Sequence, residues 1–194
     1  MKNSLLLALV LVAAGLGITA WAADPQTAAP DQPKRTFASE FDRQLTSLEK
    51  QMVEAADAMP DDKFNFAPTG PGDFKGVRTF ALEVKHMAVA NYMLGAGILQ
   101  EKAPVDMKGP NGPDNITSKA DIMKFLKDSF AYAHKAVAAI NEANVLEPIK
   151  APFGNQQTTR LILAVRLLGH PYDHYGQMVE YLRMNNIIPP ASRG

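Results

Sequence analysis

Four segments of the chain repeat apolar residues at helical spacing, and none alternates apolar with polar residues for long enough to make a strand. The first helix is predicted from about Ser39 to Met59, with Phe41, Leu45, Leu48, Met52 and Ala55 on one stripe and Pro60-Asp61 ending it. The second spans about Val77 to Gln100 and aligns Leu82, His86, Val89, Ala90, Met93 and Gly97. The third begins near Lys119, capped by Thr117 or Ser118, and turns Ile122, Leu126, Ser129, Ala133, Val137 and Ile140 inward. The fourth runs from about Thr158 to Asn186, a residue suited to a left-handed cap, and Pro189-Pro190 forbids continuation.

Amphipathic helices of similar length, each with one apolar stripe, cover one another best as an all-α four-helix bundle. Two connections are long and rich in Pro, Gly, Asp and Asn: Pro60 to Gly76 between helices 1 and 2, and Glu101 to Ser118 between helices 2 and 3. Antiparallel neighbours in bundles need only roughly 2–8 residues. Longer ones cross a bundle end or cover a site. Phe64 and Phe66 are expected to pack the first loop down, and no internal repeat or β-hairpin signal is present.

The chain opens on Lys2, an apolar run from Leu5 to Ile18, and Ala20-Trp21-Ala22 in a small-x-small pattern. Residues 1–22 are expected to be a signal peptide cut after Ala22, since a membrane span needs roughly 20 apolar residues. An uncleaved N-terminal anchor is the alternative. Residues 23–35 form a flexible linker of Ala, Pro, Gln and Asp, and residues 36–194 the bundle domain. The expected location is the periplasm or the medium, with no integral membrane association once the signal is removed.

Charge and composition narrow the chemistry. The formal net charge is zero and the charges are scattered, so there is no basic face for nucleic acid. With no cysteine, any metal must be held by nitrogen and oxygen ligands. Only four histidines occur, and His170 and His174 lie four apart, about 40° from each other around one helix. They share a stripe with Leu163, Leu167, Gln177, Tyr181 and Ile188. A bare pair at this spacing is more often a core histidine beside a solvated one than a metal site. His86 lies among apolar neighbours, where a lone imidazole would need a specific partner. If the second and fourth helices pack together, the three form a site with coordination positions open.

The other features are assigned more modestly. His134 lies off the inner stripe beside Lys135 and is expected on the solvated surface. Glu83 and His86 form one Glu-x-x-His pair, but a di-metal carboxylate site needs two, and the fourth helix has none. Glu83 is therefore either a solvated helix-start charge, the commoner case, or an acceptor for an imidazole N–H. Pro171 should kink or open the fourth helix, Gly176 allows a close helix approach, and Gln177 can bond a neighbouring imidazole.

Taken as a set, these residues resemble the DinB family of four-helix-bundle proteins. The parallels are His170, then His174-Tyr175-Gly176-Gln177, Tyr181-Leu182-Arg183 and Asn185-Asn186-Ile187-Ile188-Pro189-Pro190. Upstream they are Asp62 to Pro68, Arg78-Thr79-Phe80, His86 and Ala90-Asn91-Tyr92. The resemblance implies one divalent metal, Zn, Ni or similar, held by His86, His170 and His174. Characterised members of that family include metal-dependent transferases and isomerases. With a metal activating a bound water or thiol, the expected function here is a metal-dependent enzyme of transferase or hydrolase type with a small-molecule substrate. Pro171 between the ligands and Asn186 where glycine is common depart from the pattern. Export separates the chain from the cytosolic thiols that characterised relatives use.

Two other functions fit the same residues: a non-catalytic metal or small-ligand binding protein, and a structural bundle whose histidines are satisfied core groups. No residue beyond the ligands is assigned a catalytic role. Exposed bundle faces allow a homodimer, although no stripe demands one.

Overall fold

The computed structural model describes residues 34–70 and 75–193. The expected signal peptide, its expected cleavage site and nearly all of the expected linker lie outside these residues. From Arg35 onward the chain forms one compact unit of four helices: α1 (Phe37–Ala58), α2 (Phe80–Leu99), α3 (Lys119–Ala138) and α4 (Arg160–Met184). Each starts where a hydroxyl stands ready to accept an orphan N–H. Thr36 and Ser39 form a reciprocal capping box, so α1 starts before Ser39. Thr79 caps α2, Ser118 caps α3 and Thr159 caps α4. At the far end of α4, Asn186 adopts the expected left-handed backbone, φ 60°.

α1 and α2 each pack mainly on α3 and α4, so α1 and α2 are diagonal partners across the bundle, as are α3 and α4, whereas α2 and α3 are neighbours. That explains the long first connection, which crosses the bundle end. Phe64 is buried edge-to-face against Phe80, and Phe66 meets Tyr181 with ring centroids 5.9 Å apart. The carbonyls of Phe66 and Phe64 accept the N–H groups of Phe80 and Ala81 at the start of α2. The connection from α3 to α4 is also long, which the periodicity did not reveal. It holds a short antiparallel hairpin, β1 (Pro148–Lys150) with β2 (Gln157–Thr159), registered with Ile149 opposite Thr158. Strands of three residues are too short to show alternation, hence the missing signal. Gln100, at the end of α2, straps the hairpin down through the backbone N–H and C=O of Lys150.

The core contains the predicted stripes of α1 and α3 almost entirely, with Leu45, Leu48, Met52, Ile122, Leu126 and Val137 fully buried. α2 departs from the one-stripe expectation. It is apolar all round and buried all round, leaving only Leu82, His86, Met93 and Leu99 half-buried. The stripe drawn through His86 is thus its least covered side, under the α2–α3 connection. α4 runs as a helix through Pro171, whose ring is buried; any distortion there is local. Ile188 falls beyond the end of α4 and is exposed. Phe130, fully buried at the centre, offers a test of this packing. Phe130→Ala should cost about 3–5 kcal/mol in urea unfolding, and a loss within experimental error would contradict this core.

Candidate metal centre

Packing α2 against α4 brings His86, His170 and His174 together, with one ligand nitrogen from each within 4.8 Å of the others. Their ring centroids are 4.5–5.1 Å apart. The helix spacing alone puts His170 and His174 side by side. Gly97, about three turns further along α2, keeps the two helices close: a Cβ there would stand 2.9 Å from Leu163 Cδ1.

Hydrogen bonds decide which nitrogens face inward. His174 Nδ1–H donates to Glu83 Oε2 at 2.5 Å. His86 Nδ1–H donates to the carbonyl oxygen of Pro110 at 2.7 Å. Both tautomers are therefore set with a bare Nε2 lone pair turned away from the acceptor. His174 Nε2 then faces His170 Nε2 at 3.2 Å. The remaining nitrogen of His170, Nδ1, is buried without a hydrogen-bond partner among the described residues. A satisfied core histidine does not leave a ring in this state. The donor set of three imidazoles, with the tautomers of His86 and His174 pinned from behind, fits a borderline divalent cation.

The electrostatics favour the neutral form of His170 and His86, the form ligation requires. Burial, with His174 and His86 close by, pushes the His170 imidazole down to about 4. Burial also lowers His86, partly offset by its bond to Pro110. Glu83 is 2% exposed, and that burial pushes its carboxyl up. The His174 hydrogen bond and the nearby charges, Arg78 among them, outweigh it and hold Glu83 below the usual carboxylate range. Glu83 is thus the buried acceptor for His174 and not a solvated helix-start charge, which corrects the commoner expectation. Arg78 Nη1 stands 3.8 Å from Glu83 Oε1, and Tyr181 Oη donates to the backbone carbonyl of Arg78.

Over this centre lies the α2–α3 connection. Three successive stretches of α2 and its approach hold it: Arg78 Nε donates to Asn111 Oδ1, His86 to Pro110, and Lys85 Nζ to the Pro113 carbonyl at 2.8 Å. Gly112, at φ +73°, allows the turn directly over the Lys85 stem. Of the two roles open to a long loop, this one covers the site. Sequence reasoning missed Pro110, because no pattern marks a backbone carbonyl. It missed Arg78 as a charge partner, although its place five residues before Glu83 was visible.

The remaining candidates fall elsewhere. His134 is half-buried away from the centre, its ring nitrogens held by Asp42 at 2.6 Å and Glu49 at 3.1 Å. It ties α3 to α1 and is not simply solvated. Asp173 is exposed and Tyr175 half-buried, both off the histidine face. Gln177 Nε2 lies 3.4 Å from His174 Nδ1, beside that nitrogen's bond to Glu83. Gly176 admits no helix among the described residues, since a Cβ there meets nothing within 4 Å.

A family profile described as the DinB superfamily matches residues 44–178, a span that contains all three histidines. The crystal structure of a DinB-like protein from Bacillus cereus ATCC 10987 superposes with a TM-score of 0.61. The two are 17% identical, and the match covers 80% of this chain and 96% of that one. No curated protein matches the chain.

Proposed function

Since the chain belongs to the DinB superfamily, we propose that it is an exported metal-dependent enzyme, of transferase or hydrolase type, acting on a small molecule. The observation that carries this is the trio of converging imidazoles with Glu83 and Pro110 bonded behind two of them. Three protein ligands leave coordination positions free, as catalytic sites do and closed structural sites do not. When bound, a divalent cation supplies Lewis acidity and lowers the pKa of water or a thiol. The chain's own residues hold and orient the ligands. Glu83 fixes the His174 tautomer, Pro110 fixes that of His86, and Arg78 balances the Glu83 charge.

Room for a substrate body exists nearby. A cavity of about 340 Å³ is lined by Met93, Gly97, Glu101, Met107, Lys150 and Pro152, among others. It begins two turns along α2 from His86, and the loop that provides Met107 also provides Pro110.

The test is elemental analysis of the purified chain, followed by screens of thiol-dependent transfer and of hydrolysis. One Zn, Ni or similar ion per chain is expected, with turnover that stops on chelation and returns with metal. A chain that binds metal but turns over nothing in either class would instead be a metal or small-ligand binding protein. Export is part of the same proposal. Among the described residues no helix is long and apolar enough to cross a membrane. N-terminal sequencing of the exported protein should begin at Ala23, whereas an intact Lys2 would mean a retained anchor.

A further inference from the structure

Seen down its axis, α4 has two apolar sides. Leu163, Leu167, His174, Met178 and Tyr181 turn into the bundle. Opposite them, Ile162 is 46% exposed, Val165 53% and Tyr172 43%. Phe153, 45% exposed, adjoins this side with the Arg166 guanidinium 5.3 Å above its ring. The outward residues follow a heptad: Ile162, Gly169 and Gly176 along one line, and Val165, Tyr172 and half-buried Val179 along the next. Such a pair of lines is the seam by which one helix packs on another. No other helix among the described residues covers it.

The glycines on the seam are informative because no described residue packs closely on them. A Cβ added to Gly169 or Gly176 meets nothing within 4 Å, and neither residue needs a positive φ. Glycine inside an exposed helix costs about 1 kcal/mol relative to alanine. Its use there is to let another surface approach closely.

The pattern is also complementary to itself. We infer that this face of α4 binds the same face of a second copy, antiparallel, about a two-fold axis passing between His170 and Pro171. Residues equidistant from that axis then meet. Tyr172 lies over the partner's Gly169, Val165 over the partner's Gly176, and Ile162 against the partner's Val179. Each of the first two contacts sets a large side chain on a glycine. On one flank, exposed Arg166 comes within a turn of the partner's Asp173, whereas a parallel pairing would stack like charges. A two-fold interface must match itself in shape and charge, a condition that an unrelated partner does not impose. The arrangement does not depend on whether metal is bound.

Sedimentation velocity on the full chain tests it, together with Gly169→Leu and Gly176→Leu. The native chain should be a dimer. Each leucine has open space in the monomer, so melting should stay the same or rise, while dimer affinity falls by at least about tenfold. In the cysteine-free chain, Tyr172→Cys should give an oxidised dimer band and Lys127→Cys, on the exposed side of α3, should not. A monomer at all concentrations would overturn the inference. So would a dimer indifferent to both leucines, which would place the contact on the N-terminal apolar run or another face.

Discussion

His174→Ala should abolish metal binding and with it the largest metal-dependent gain in stability. In the native chain, metal at a thousandfold excess over Kd stabilises the folded state by about 4 kcal/mol. For a domain of this size each kcal/mol moves Tm by about 2–4 °C. Melting with and without chelator should thus differ by roughly 8–16 °C in the native protein, and not at all in the variant. His174→Ala has a second cost that is independent of metal. It leaves the Glu83 carboxylate buried without its 2.5 Å hydrogen bond, a loss of about 1–3 kcal/mol. His134→Ala is the control, because that ring sits between Asp42 and Glu49, away from the centre. It should leave the chelator-dependent shift intact. If native protein melts identically with and without chelator, the three histidines do not hold a metal.

Glu83→Gln should weaken metal affinity by about 10–100-fold while the bundle remains folded. The amide fills the same space but carries no charge, so it supports the His174 Nδ1–H less strongly. It can also present its NH₂ to Nδ1, moving the ring proton to Nε2 and blocking the ligand lone pair. Arg78, 3.8 Å from Glu83, would lose its counter-charge as well. Competition against a chromophoric chelator reads the change directly. Unchanged affinity would mean that Glu83 serves the fold alone and does not tune the ligand.

These two residues show how unevenly the site could be read from the chain. His170 and His174 were placed together by helix spacing, a local property that needs no knowledge of the fold. His86 could be joined to them only on the condition that α2 packs on α4, and the family resemblance pointed the same way. For Glu83 the sequence allows an imidazole acceptor or, more commonly, a solvated charge. Its position in the first turn of α2 suggests exposure, and only the burial of α2 on every side reverses that. Pro110 had no signal at all, since any residue carries a carbonyl and only the path of the loop brings this one to His86.

By itself the sequence determined four helices, the cap of α3, the breaks after α1 and α4, the core stripes of α1 and α3, and the nitrogen-and-oxygen character of any metal site. These follow from propensities and periods that act over a few residues. Tertiary structure decided the diagonal order of the helices, the burial of α2, the hairpin between α3 and α4, and the acceptors behind His86 and His174. It also decided which side of α4 remained bare. Those outcomes depend on contacts between residues far apart in the chain, and their energy comes from shared burial that no single segment encodes.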